Sequence, residues 1–131
     1  MTTIRTLVVD DFEAWRRFVC SALKKNPKLE IVGEASDGLE AVQKASELLP
    51  DLIVLDLGLP KLNGMEAARQ IRRISSKSKI LFVSQESSME VIEAALNAGG
   101  LGYVLKTKAE TDLLPAVEAI LEGRKFVSSG S

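Results

Sequence analysis

Four short apolar runs each stop at a polar residue capable of chemistry, and no other feature of this sequence limits its fold as much. Ile4 to Val9 runs into Asp10-Asp11, Leu52-Ile53-Val54-Leu55 stops at Asp56, Ile80 to Val83 stops at Ser84, and Leu101 to Leu105 stops at Lys106. The continuous run Leu52 to Leu55, of Leu and β-branched residues, suits a strand covered on both faces, and Ile80 to Val83 reads as another buried strand. Leu29 to Ala35 reads as a weaker fifth strand.

Helical patterns fill the gaps. Phe12, Trp15, Phe18, Val19, Ala22 and Leu23 recur at helical spacing until Asn26-Pro27 stops them, and Asp37-Gly38 opens a second helix with Leu39, Val42 and Ala45 on one face. Gly64 precedes a third, marked by Met65, Ala68 and Ile71. A fourth runs from about Ser88 to Ala98 and closes at Gly99-Gly100, a suitable glycine cap. Leu113, Leu114, Val117, Ile120 and Leu121 give the last, with Pro115 expected early in it, where proline is best tolerated. Five strands alternating with five helices predict an α/β fold: a doubly wound, mostly parallel sheet with helices on both faces and right-handed crossovers. The 131 residues fit one domain over 1–122, and the Gly/Ser-bearing segment 123–131 reads as a tail or the start of a linker.

Composition removes several chemistries. The chain has no histidine, which excludes Ser-His-Asp and Cys-His catalysis, His-containing zinc sites and a phosphohistidine carrier role. The single cysteine, Cys20, sits in an apolar helical pattern and reads as a small buried hydrophobe in a reducing compartment. Seventeen basic and eighteen acidic residues leave a formal charge of -1, which gives no electrostatic basis for binding nucleic acid or membrane. No stretch approaches a membrane span and the N-terminus lacks signal-peptide architecture, so the expectation is a soluble cytoplasmic protein. Arg69, Arg72 and Arg73 read as a solvated helix face, whereas the fourth helix has apolar residues on more than one face, which fits equally a partner surface formed with strand five and the last helix or over-packing against its neighbours.

In an open parallel sheet, ligands bind beyond the carboxyl ends of the strands. Those ends carry Asp10, Asp11, Asp56, Ser84 and Lys106. A lone strand-end Asp ordinarily caps a helix, but here complementary groups occupy the ends of four strands. Crowded carboxylates repel one another, and a hard dication such as Mg²⁺ relieves this, with Asp11 and Asp56 binding directly and Asp10 partly through water. A carboxylate attacks phosphorus when metal and ammonium neutralise the transferring group. Lys106 supplies that ammonium and pairs with Asp56 at rest; Ser84 offers a hydroxyl to a phosphoryl oxygen.

With those residues in view, the sequence resembles the receiver domain of two-component response regulators. The matching text is V-V-D-D (8–11), L-I-V-L-D-L-G-L-P-K-L-N-G-M-E (52–66), Ser84, and G-Y-V-L-K-T (102–107). The segments G-M-E-A-A-R-Q-I-R (64–72) and E-G-R-K-F-V-S (122–128) are similar to the NarL-type subfamily, which bears a LuxR-type helix-turn-helix. The resemblance implies a flavodoxin-like receiver fold of sheet order 2-1-3-4-5. It implies Asp56 as phosphoacceptor, Asp10 and Asp11 as the metal-binding pair, and Gly58 as the position whose backbone carbonyl completes the metal shell. Lys106 matches the phosphoryl-pairing lysine, Ser84 the switch hydroxyl and Tyr103 the switch aromatic, which turns inward as Ser84 moves toward the phosphoryl group.

It further implies phosphotransfer from a sensor histidine kinase, a homodimer on phosphorylation, and no catalysis beyond the domain's own phosphorylation and dephosphorylation. DNA would be contacted only through a C-terminal domain. The alternative reading is a receiver-like interaction module that takes no phosphate; an aspartyl-phosphate phosphatase is disfavoured because Gly58 stands where its general acid belongs. Thr107 in place of the common proline, Gly99-Gly100 in place of Gly-Ala, and Gln85, Glu86 and Gly58 near the attacking water's path depart from the family pattern.

Overall fold

The computed structural model describes residues 3–128. In chain order it contains β1 (Ile4–Val9), α1 (Glu13–Leu23), β2 (Leu29–Ala35), α2 (Gly38–Leu48), β3 (Leu52–Leu55), α3 (Gly64–Ile74), β4 (Lys79–Ser84), α4 (Met89–Asn97), β5 (Gly100–Leu105), α5 (Ala109–Leu121) and β6 (Phe126–Val127), with a 3₁₀ turn over Lys106–Lys108. The sheet is parallel throughout, in the order β2-β1-β3-β4-β5-β6. The expected five-stranded doubly wound order is therefore present, and a sixth strand extends it.

Alternation along each buried strand sorts side chains between two cores. Leu7, Val9, Ile53, Leu55, Ile80 and Phe82 face α2, α3 and α4, where they meet Ala41, Ala45, Ala68, Ile71, Ile92 and Ala95. Val8, Leu52, Val54, Leu81, Val83 and Val104 face α1 and α5, where they meet Val19, Cys20, Leu23, Leu113, Val117 and Ile120. Small residues on α2, α3 and α4 let those helices lie close to the sheet. Cys20 is buried, and burial pushes its thiol above the usual range.

Local signals fix where helices begin. Asp37, Asn63 and Ser88 each accept a hydrogen bond from the backbone N–H three residues on, satisfying one of the orphan donors at the N-termini of α2, α3 and α4. Pro115 departs from expectation. It stands in the middle of α5, because the helix starts at Ala109, with Glu110 and Asp112 favourably placed in its first turn. Pro115 is exposed, so its ring points away from the core. The apolar surplus on α4 is largely absorbed: Ile92 and Ala95 are buried, Val91 and Leu96 pack on the core, and Met89 alone stands out.

The segment read as a tail is docked as far as it is described. Phe126 and Val127 pair with Gly102 and Tyr103. Ser128 is buried; its N–H donates to Tyr103 O (2.9 Å) and its hydroxyl accepts from Leu105 N–H (3.1 Å) and donates to Asp112 Oδ2 (2.8 Å). Residues 129–131 lie outside the described residues.

Candidate phosphoacceptor and metal site

The carboxyl ends of β1, β3, β4 and β5 converge on an open cavity of about 270 Å³, lined by Asp11, Phe12, Asp56, Gly58, Ser84, Gln85, Glu86 and Lys106. Backbone pairing sets the rim: Asp10 N–H donates to Ala35 O and Asp56 N–H to Val9 O, both at 3.1 Å. These bonds carry the sheet register one residue past the strands, so the acidic side chains start level with one another. Asp10 also accepts from Phe12 N–H through Oδ1 (2.9 Å), and its carbonyl accepts from Arg16 Nη1 (2.8 Å), which fixes the turn into α1.

One carboxylate oxygen each from Asp10, Asp11 and Asp56 lies within 4.8 Å of the other two, with Asp10 and Asp56 buried and Asp11 exposed. An all-oxygen, partly open acidic trio matches the preference of Mg²⁺ for hard ligands and retained waters, so these residues fit the ion. The sequence-level grouping of the three is thus reproduced in space. Gly58 is exposed on the same rim.

Lys106 bridges two of the acids. Its Nζ lies 2.9 Å from Asp10 Oδ2 and 3.4 Å from Asp56 Oδ2, so its nearer partner is Asp10 and not Asp56 as expected. Burial works against the ammonium, but the two carboxylates outweigh it and hold the lysine above its ordinary value. Asp56 is pushed up, first by burial and then by the Asp10 charge, against the lowering pull of Lys106 and of the Gly58 N–H. Lys106 also lies over the face of Trp15, 5.3 Å from the ring centroid. Sequence periodicity placed Trp15 only in the core stripe of α1.

Ser84 is buried at the end of β4, and its Oγ accepts from Glu86 N–H at 3.1 Å. Tyr103, expected to turn inward only as Ser84 moves, is already inward: it is fully buried and its hydroxyl donates to Glu86 O at 2.7 Å. Burial raises its phenol above the usual range. The Glu86 backbone thus ties Ser84 and Tyr103 together, a link invisible in sequence because it uses no Glu86 side chain. Arg69, Arg72 and Arg73 are exposed on α3, away from this rim.

The comparisons with known proteins agree with this geometry. The model of the response regulator receiver domain matches residues 6–118. The transcriptional regulatory protein LiaR of Bacillus subtilis is 36% identical over 96% of this chain and 60% of its own length. The response regulator protein VraR of Staphylococcus aureus is 38% identical over 92% of this chain and 58% of its own length. The chain therefore spans about three-fifths of these relatives. Among solved structures, a LuxR-family two-component response regulator from Aurantimonas superposes with a TM-score of 0.90 at 35% identity, covering 95% of this chain and 89% of the other.

Proposed function

The chain belongs to the response regulator receiver domain family, and from that premise we propose that it is a phosphorylation switch with Asp56 as the phosphoacceptor. The observation that carries the reading is the meeting of three carboxylates within 4.8 Å beside a lysine that touches two of them.

In the proposed reaction a carboxylate oxygen of Asp56 attacks the phosphorus of a phosphohistidine on a sensor kinase. The new O–P bond forms as the N–P bond breaks, and the imidazole leaves with the electron pair. Asp10, Asp11, Asp56 and the Gly58 carbonyl would hold Mg²⁺, which when bound offsets the negative charge of the transferring group. Lys106 shifts from its carboxylate partners to a phosphoryl oxygen, and the Ser84 hydroxyl releases the Glu86 N–H and donates to another. The Glu86 backbone carbonyl, which Tyr103 holds, moves with that loop. Phosphorylation adds about -1.5 to -2 charge and three acceptor oxygens, and a few charge-assisted hydrogen bonds of about 1.5–3 kcal/mol each suffice to move a two-state loop.

Output in the longer protein would be transcriptional control through a C-terminal helix-turn-helix domain, with the phosphorylated receiver forming a homodimer and making no nucleic-acid contact of its own. We place it in the cytoplasm, and among the described residues no helix is long and apolar enough to cross a membrane. One observation favours a second reading, a module that signals without phosphate: Tyr103 is already inward. Incubation with acetyl phosphate and Mg²⁺, read by intact mass, separates the two. The proposal expects one added phosphoryl group on wild type and none on Asp56→Asn; an unlabelled wild type supports the second reading.

A further inference from the structure

We propose that Trp15 is a positioning residue for Lys106: its indole face keeps the ammonium over the site when the acidic side chains are engaged elsewhere. The inference rests on the phosphoacceptor reading above but adds a residue to it. At rest Lys106 is held by Asp10 at 2.9 Å and Asp56 at 3.4 Å. Both belong to the acidic trio that fits a divalent ion. Were those carboxylates to turn to an ion, the lysine would share them with a second positive charge and its hold on them would weaken. Among the described residues, the Trp15 ring, 5.3 Å from Nζ to the centroid, is a contact that does not involve those carboxylates. That distance is inside the range in which the negative face of an aromatic ring attracts an ammonium, and tryptophan is the strongest of the three aromatic partners.

Two further observations show that the ring is set for its face. The Trp15 Nε1–H is buried and has no hydrogen-bond partner among the described residues, so no polar contact orients the indole. Instead it rests against Phe18 at a centroid distance of 4.8 Å and on the core between α1 and α5. The lysine side chain keeps only 14% of its exposure, so the attraction acts where water screens it little. Phosphoryl transfer needs that ammonium above the Asp56 carboxylate at the moment the donor arrives. A lysine free to swing into solvent meets this condition less often, which slows the transfer step without weakening the donor's capture.

Trp15 is the protein's single tryptophan, so its emission reports the contact directly. Lys106→Met should change the emission of the metal-free protein, and the difference from wild type should persist at saturating Mg²⁺. Trp15→Leu, which keeps apolar bulk but no ring, should lower the maximal rate of labelling by acetyl phosphate about three- to tenfold. The half-saturating donor concentration should stay the same, and Trp15→Phe, which restores a ring face, should recover most of the loss. An emission difference absent at rest or abolished by Mg²⁺ overturns the proposal, as does Trp15→Leu labelling at the wild-type rate or Trp15→Phe labelling as slowly as Trp15→Leu. Should wild type itself take no phosphate, the phosphoacceptor reading fails while the emission comparison still decides the role of Trp15. That comparison also stands if Trp15→Leu does not fold.

Discussion

Gly64 is the first residue of α3 and sits against the backbone at the end of β3, and replacing it with alanine probes how tightly the site is built. Its N–H donates to Leu57 O at 2.8 Å. A Cβ placed there lies 2.1 Å from the Asp56 carbonyl oxygen and 2.7 Å from Leu57 Cα, both backbone atoms. Ordinary contacts begin near 3.4 Å, so α3 and the Asp56–Leu57 backbone must separate by more than an ångström. Overpacking of this kind costs about 3 kcal/mol. The unfolded chain's loss of glycine freedom returns about 1 kcal/mol. The net loss of about 2 kcal/mol lowers the urea midpoint by about 1 M and, for 131 residues, the Tm by about 7 °C.

Labelling by acetyl phosphate should fall more than stability does, because the displaced backbone is that of Asp56, the proposed phosphoacceptor. Gly58→Ala is the control: nothing lies within 4 Å of a Cβ at that position, so its stability should stay within about 0.5 kcal/mol of wild type. If Gly64→Ala melts and labels like wild type, the close approach of α3 to the Asp56–Leu57 backbone is refuted.

Asp56 is held above its ordinary value of 3.8, chiefly by burial and then by the Asp10 charge. The folded state therefore binds this proton more tightly than the unfolded state, and the stability of the metal-free protein falls as pH rises from that ordinary value through the raised one. Asp56→Asn should be the more stable protein in urea at neutral pH, with the gap closing as the solution is acidified through that window; a less stable Asp56→Asn contradicts the electrostatics. Lys106→Met leaves Asp10 and Asp56 without their cation and should lower stability by about 3 kcal/mol, part of which Asp56→Asn restores in the double variant, as read by denaturant midpoints. Ser128→Ala strands the buried Leu105 N–H and frees Asp112 Oδ2, so a loss of about 1–2 kcal/mol is expected by the same measurement.

The parts of the fold that were legible in the sequence are those where one physical signal dominates. Leu52 to Leu55 can hardly be anything but a strand covered on both faces, and its end at Asp56 places the acid on the ligand-binding edge of the sheet. Asp37-Gly38 reads as a helix start because a short polar side chain before apolar periodicity has few other uses, whereas Asn63, which supplies a cap in the structure, reads in sequence only as part of its loop. The less legible features depend on partners distant in sequence. Phe126-Val127 is too short to announce a strand and forms one because β5 leaves an edge free to accept it. Pro115 gave a misleading helix start because its cost in mid-helix is offset by the burial of Leu113, Ala116, Val117 and Ile120 around it. The nearer pairing of Lys106 with Asp10 and the burial of Tyr103 against Glu86 O depend on ångström differences that no residue pattern encodes.

Most of this molecule satisfies its own rules: cores are apolar, strands agree in period, and most helices are capped. The exception is concentrated where β1, β3 and β5 end. Two buried carboxylates share one lysine with a third carboxylate close by, and Asp56 carries the consequence as a raised affinity for protons. A sequence selected only for stability would replace at least one of these acids, since an amide at Asp56 keeps the shape and removes the repulsion. Their retention side by side is thus unfavourable to the resting fold and favourable to whatever positive or electrophilic species enters the cavity. Under the proposed function, the same unfavourable charge that makes Asp56→Asn the more stable protein is what would let the wild-type site bind a dication and attack phosphorus. Stabilisation by substitution and loss of labelling should therefore travel together at Asp56, and a variant that gained one without the other would break the link.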